Sequence, residues 1–377
     1  MTRSSLPIAL FSLACAAFVT AYGLLSPINN WDLVGYTASA LRNTGLTGEA
    51  LHQMTYADLS RALPPERFAD LTTGGPYGRG VFADSEALEQ QLPFYRIRVL
   101  YLLLIQTVAQ NTGSLTQATW IVSATSAGLL CLLTGAMLHI NMRPLHWLAT
   151  ATALVLTLYV SSVVLVSRLS TPDALFAFGA LSALALFYRA RTAAMTLVAI
   201  LPLIRTDAIV LSALLMVLLL TERDRDWRHY TALAISAALY VAVNAAYGNY
   251  SHAVLFNFTL IAGQRTPYPE LLQIVRDPAV YLQVYLDRGA GMFAQWSTWI
   301  LLATAITLAI DRARSGRIGP MGRLALVGIA YVLLHFLALP LGVARHYVFA
   351  LIVCCVYISH FVAVSATRSI QIPLQSR

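Results

Sequence analysis

An all-α polytopic membrane protein with about ten transmembrane or re-entrant helices is the fold class this sequence predicts, and three observations predict it. Mean hydropathy is +0.66, with 58% hydrophobic and only 11% charged residues, far from the composition of a soluble domain. Apolar runs of about 20 residues, the length that a bilayer core of about 30 Å demands, recur along the 377 residues. Arginines then gather in alternate connections, as the positive-inside rule asks of cytoplasmic loops.

Residues 6 to 28 form the first apolar run. Arg3 gives it the outline of a signal peptide, but no clear small-residue cleavage site precedes the polar stretch, so an uncleaved anchor is expected. Residues 29–95 follow as a large first external loop. Within it, Trp31 to Leu41 has amphipathic spacing that puts Asp32 at or near a helix N-terminus, where the helix dipole favours a carboxylate. The segment GGPYGRG at 74–80 is too short for a nucleotide-binding fingerprint and lacks the helix that would cradle phosphate. A flexible turn near the site is expected there. The stretch from Arg96 and Arg98 to Asn111 interleaves aromatics with arginine and is expected to lie along the interface; a crossing there would invert every later loop.

Spans are expected next at 113–140, 144–167 and 172–188. The runs 193–204 and 208–220 are each too short for a comfortable crossing and meet at Arg205-Thr206-Asp207. They read as a broken or re-entrant pair, because ionisable groups at membrane depth are costly and such a tip faces a cavity or protein interior. A span at 229–248, a second external loop at 249–292, and spans at 293–310, 321–341 and 347–366 complete a single domain, 1–377.

Alternation of these spans puts Arg3, Arg143, Arg189, Arg191, the 222–229 segment, Arg312 to Arg323 and Arg368 on one side, the cytoplasmic one, with both termini. The acid-rich loops face outward, so chemistry is expected on the external face. The net charge of +8 comes from arginine alone, since the chain has no lysine; this excludes a Schiff-base or lysine-nucleophile mechanism. External arginines suit phosphate, being planar and permanently charged. Basic residues scattered at membrane edges give nucleic acid no surface. Cys15, Cys131, Cys354 and Cys355 all lie in apolar runs and read as packing residues, with no disulfide or metal spacing. No histidine pair has the HExxH form.

Asp32 just after the first span, PFYRIRVLY at 93–101, STPDALF at 170–176, LIRTDAI at 203–209 and ARHYVFAL at 344–351 together resemble the C-type (GT-C) fold of membrane glycosyltransferases. That superfamily includes protein mannosyltransferases and the aminoarabinose transferase of lipid A. The resemblance covers most of the chain in layout, through short motifs. It implies a sugar on a polyprenyl phosphate as donor and Asp32 as general base on the acceptor hydroxyl, a role contributing on the order of 10²- to 10⁴-fold. It also implies guanidinium groups against the charge that grows on the leaving phosphate. Arg345 is the first choice, with Arg205, Arg96 and Arg98 as supports and His346 as a donor. Tyr95, Asp173 and Asp207 would line the cavity, orient the arginines or hold the sugar, and Glu86 and Asp84 would supply a second acid. Plainer readings stand beside these: Asp32 and Asp173 as helix caps, with Pro172 suiting a first turn, Arg345 as an interfacial anchor, and Asp207 as a structural partner of Arg205.

The chain departs from the family in two respects. No sizeable soluble domain follows about residue 367, and arginine must replace the lysine that some members set against phosphate. Some relatives require a divalent metal; no ligand set is evident here, so no cofactor is expected, with a divalent metal left open. The acceptor is a lipid, a glycan or a protein of the envelope. The expected location is the inner membrane of a bacterium, whose high genomic GC content would account for the lysine-free composition. Two readings from other classes are a transporter or flippase of a lipid-linked sugar, which would more often show internal repeats, and a non-catalytic envelope assembly protein. An O-antigen ligase or polymerase is the nearest enzyme alternative, although its main external loop usually lies late in the chain.

Overall fold

The computed structural model describes residues 5–143 and 145–371, with the side chains of Ser5 and of 368–371 excepted, so Arg3 and the Arg368 side chain lie outside it. The described chain is helical throughout; its one strand-like contact is the pairing of Ile28 with Leu169. Helix α1 (Ser5–Leu25) leads into six short helices: α2 (Asp32–Arg42), α3 (Gly48–Ala62), α4 (Pro65–Thr72), α5 (Pro76–Ala83), α6 (Ser85–Gln91) and α7 (Pro93–Arg96). Then come α8 (Val99–Thr112), α9 (Leu115–Asn141), α10 (Trp147–Val160), α11 (Val163–Arg168), α12 (Asp173–Leu186), α13 (Arg191–Ile200) and α14 (Ala208–Thr221). The chain ends with α15 (Trp227–Tyr247), α16 (His252–Leu260), α17 (Pro278–Phe293), α18 (Trp296–Ser315), α19 (Pro320–Ala338) and α20 (Val348–Gln371).

Five of these, α1, α9, α15, α19 and α20, are long and apolar enough to cross a membrane, or up to seven if the bent pairs 85–112 and 278–315 count as one span each. Exposed leucines and aromatics along α1, α18 and α19, such as Phe18, Trp299 and Leu337, give these helices a lipid-facing surface. Helices α10, α12, α13 and α14 are apolar but shorter; 14 residues span about 21 Å. The single span expected at 144–167 is interrupted, because Ser161 Oγ bonds the Thr157 carbonyl at 2.6 Å and Ser162 takes φ +64° before α11 restarts. A hydroxyl bonding back four residues competes with the helix in this way.

Helices in lipid gain nothing from leaving water, so close approach must hold them together. Antiparallel α1 and α9 meet through small residues: a Cβ at Gly128 would strike Thr20, and one at Gly135 would strike Ser12. Helices α2 to α6 form a separate apolar cluster of Leu33, Val34, Leu51, Tyr56, Leu59, Val81 and Leu88. Buried Asp58 of α3 pins this layer to α9, accepting bonds from the Thr116 amide at 2.9 Å and its hydroxyl at 2.8 Å. The α9 N-terminus favours that carboxylate. Helix α8 turns 110° from the α6–α7 segment, and Gln106 on it donates to the Ala40 carbonyl of α2 at 2.9 Å. Both of its ends stay beside the α2–α7 layer, and with α6–α7 it makes one of the two bent pairs that have the composition of a broken span or a re-entrant loop.

The GGPYGRG segment corrects the expectation of a flexible turn. Pro76 opens α5, and a Cβ at Gly78 would sit 2.6 Å from the Leu71 carbonyl oxygen, while one at Gly80 would run into Pro267. These two glycines serve close packing, not mobility.

At the end of the bundle remote from α2–α7, Glu222 accepts from Arg191 at 2.7 Å, Arg323 at 2.8 Å and Tyr188 at 2.6 Å. Asp224 takes the other Arg191 nitrogen at 2.6 Å. This knot ties α13, α14 and α19 together.

Candidate functional site

Asp32 is the first residue of α2, where the polar Asn29-Asn30 stretch leaves α1 and the helix begins. Its Oδ2 accepts from Arg345 Nη1 at 3.2 Å and from Asn30 Nδ2, while the Tyr95 hydroxyl donates to Oδ1 at 3.4 Å. Oδ1 therefore keeps lone-pair capacity for a further donor. Arg345 lies 313 positions away in sequence, in a short 3₁₀ turn between α19 and α20.

The network continues inward. Arg345 Nε lies 3.8 Å from Asp173 Oδ2. Asp173 also accepts from the Thr171 hydroxyl at 2.8 Å and from Arg205. Arg205 grips Asp207 with two nitrogens, at 3.0 and 2.6 Å, and Asp207 in turn accepts from His335 Nε2 at 3.0 Å. Arg205 and Asp173 are almost wholly buried, a placement tolerable only because each charge is paired. Asp173 is not a cap, since it stands at the first helical position and its carboxylate turns to Arg205. Asp207 behaves as the paired charge expected at the 205–207 tip.

His346 is buried with Nδ1 3.2 Å from Arg205 Nη1. Burial, and then the Arg205 charge, push its imidazole well below the usual range. A guanidinium has no acceptor, so Nδ1 accepts and the proton sits on Nε2. For Arg345, burial works against the charge, but Asp173 and Asp32 outweigh it and raise the guanidinium above its usual value.

These groups line a cavity of about 1030 Å³. Of the residues singled out from sequence, Asp32, Tyr95, Arg98, Asp173, Arg205, Asp207, Arg345 and His346 meet on its wall. Arg96, Glu86 and Asp84 do not. Arg96 lies over the Tyr247 ring at 5.1 Å, Glu86 accepts from Gln90 at 3.2 Å, and Asp84 caps α6 while accepting from Tyr268. That Tyr268 bond, followed by the Glu86 amide, lowers the Asp84 carboxyl below its usual range. All three sit on α6–α7 or at its start, and none of them lines the cavity.

Sequence reasoning missed Asn30, Arg265, Arg288 and His335, all of which line the cavity. Arg265 stacks over Tyr77 at 4.3 Å, and its only sequence signal was an arginine in the 249–292 loop. Five arginines (98, 205, 265, 288, 345) face three aspartates (32, 173, 207), a surplus of two positive charges. Arg98, Arg265 and Arg288 have no carboxylate partner among the described residues. On this wall Arg98 Nε and His335 Nδ1 are buried without a hydrogen-bond partner among the described residues. The wall thus carries a net positive charge, with Asp32, Asp173 and Asp207 set among its five arginines. Among the described residues no group of three or more His, Cys, Asp or Glu side chains is placed to hold a metal ion.

Comparison with protein-family models, with curated proteins and with solved structures gives no match.

Proposed function

We propose that this chain is a membrane glycosyltransferase of the C-type fold, moving a sugar from a polyprenyl-phosphate donor to an envelope acceptor at the external face of a bacterial inner membrane. One observation carries the reading: Asp32, with an open carboxylate oxygen, shares a cavity with three arginines that have no carboxylate partner. A base and a cationic phosphate cradle are the two demands of transfer from a sugar phosphate.

In the proposed step the acceptor hydroxyl gives its proton to Asp32 Oδ1, and the acceptor oxygen bonds to sugar C1. The bond from C1 to the phosphate oxygen breaks, its electron pair leaving with the lipid phosphate. Arg98, Arg265 and Arg288 take up that charge, and Arg345, 3.2 Å from Asp32, reaches both the base and the leaving group. Arg205 acts as a positioning residue, because two carboxylates already neutralise it. Tyr95 and Asn30 hold the Asp32 side chain for attack.

Ten passes with an external site fit the connectivity. In this reading ten segments run between the Asp32 cavity and the Glu222 knot, namely α1, α9, α10–α11, α12, α13, α14, α15, α18, α19 and α20, where α13 is extended by the turn at Leu201–Leu203. The short members would span through the polar tips they share.

The test is transfer from a panel of radiolabelled polyprenyl-phosphate sugars by purified protein in nanodiscs, with extracted envelope material as acceptor. Transfer of label from one donor is the expected result. Movement of the lipid-linked sugar between leaflets, with no transfer from any donor, would replace the enzyme with a flippase.

A further inference from the structure

A second hollow lies at the other end of the bundle, between α14 and α19, with a volume of about 450 Å³. That is within the range of about 300–1,000 Å³ typical of ligand sites. Its floor is apolar and its mouth is basic. Leu214, Val217, Leu218 and Thr221 recur at helical spacing on α14, and Arg323, Leu326, Val327 and Ala330 do the same on α19. Each stripe covers eight residues, a rise of about 10 Å along the helix, so the two form a greasy channel running from the mouth into the membrane.

At the mouth stand Arg312, Arg317 and Arg323. Arg323 is committed to Glu222 at 2.8 Å, and Glu222 is further occupied by Arg191 and Tyr188. The nearby Asp311 carboxylate accepts from Tyr357 at 3.0 Å. Arg312 and Arg317 form no ion pair with any described residue, and both are exposed. An apolar channel closed by two unopposed guanidinium groups at a membrane helix end has one natural complement, a molecule with an acyl chain and an anionic head.

We infer that this channel binds one anionic phospholipid, its phosphate on Arg312 and Arg317 and one acyl chain along Leu214, Leu218 and Val327. The lipid would fill the gap that α14 and α19 leave beside α18. The site is separate from the Asp32 cavity and the inference does not rest on glycosyl transfer.

The experiment is native mass spectrometry of the purified full chain titrated with phosphatidylglycerol or phosphatidylcholine, in wild type and in Arg312→Ala/Arg317→Ala. A guanidinium beside an anionic lipid head is worth about fivefold in affinity, so the double variant is expected to retain phosphatidylglycerol roughly twenty-five-fold more weakly. One phosphatidylglycerol per chain, bound in clear preference to phosphatidylcholine, is the wild-type expectation. Ala330→Phe, which fills the channel and leaves the arginines, should release the lipid as well. Equal retention of the two lipids by wild type, or undiminished phosphatidylglycerol on either variant, would overturn the assignment. Displacement by glycerol phosphate at concentrations matching the lipid would show a headgroup-only anion site and overturn the acyl part.

Discussion

Replacing Arg205 with methionine tests whether the buried charge network is as dry as its geometry implies. The substitution keeps an unbranched side chain but strips the guanidinium that serves both Asp173 and Asp207. Asp173 has 4% of its side chain exposed, so its carboxylate would be left with the Thr171 hydroxyl and the more distant Arg345. Breaking a buried ion pair from one side costs about 3–5 kcal/mol. Asp207 faces the cavity and keeps His335, which places the expectation within that range rather than at twice it. At about 2 °C per kcal/mol for a chain of this size, Tm should fall by about 6–10 °C. Cys131 and Cys354 are fully buried, whereas Cys15 and Cys355 are partly exposed, so labelling by a thiol-reactive fluorophore above the level of the folded protein reports unfolding. The double variant Arg205→Met/Asp173→Asn removes the stranded charge and should recover at least half of the loss. A fall of less than about 2 °C, or no recovery in the double variant, would mean that cavity solvent stabilises these carboxylates and that the network is not a structural pairing.

Arg345→Ala should lower kcat/KM for transfer by about 10²- to 10³-fold, the usual cost of removing one group that stabilises developing charge; a loss under threefold would strip it of that role. At Gly35 two effects oppose each other. Alanine improves helix propensity by about 1 kcal/mol, but its Cβ would enter the Tyr95 ring, which is itself buried, and overpacking costs about 1–3 kcal/mol. Thermal melting should show Gly35→Ala less stable, with Tyr95→Leu restoring it; a stabilised Gly35→Ala would show that the ring can retreat. The depressed His346 imidazole makes stability pH-dependent. Below the unfolded value of about 6.5 the unfolded chain binds a proton that the folded chain refuses, so stability rises with pH up to that point and is level above it. Melts between about pH 5 and 8 should show this slope in wild type and a flatter one in His346→Gln.

Much of the helix pattern was legible because lipid demands it: runs of apolar residues separated by arginine can satisfy their backbone only as helices. The 205–207 tip was legible for the same reason, as charges too costly to leave unpaired. Where expectation and structure part, side-chain direction or close packing decided. The glycines at 78 and 80 signal flexibility in sequence, yet they are small because Leu71 and Pro267 press on them. Arg96 and Arg98 are two residues apart, and only Arg98 reaches the cavity; nothing in their spacing reveals which. Asp173 after Thr-Pro has the sequence of a cap, but Arg205, 32 residues on, captures its carboxylate. The meeting of Asp32 with Arg345 depends on tertiary structure across nearly the whole chain, and only the resemblance to C-type glycosyltransferases suggested it. Arg265, Arg288 and His335 carried no pattern at all, for their place is set by loops and helix ends that fold over the cavity.

The proposed transfer depends on Asp32 taking the acceptor proton in a cavity that holds the donor through arginine. Single-turnover transfer by wild type, Asp32→Asn and Asp32→Glu, with donor binding measured alongside, tests it most directly. Asp32→Asn should bind donor and lose about 10²- to 10⁴-fold in rate, with partial return in Asp32→Glu. Turnover by Asp32→Asn within a few-fold of wild type would contradict the claim and remove Asp32 from the chemistry.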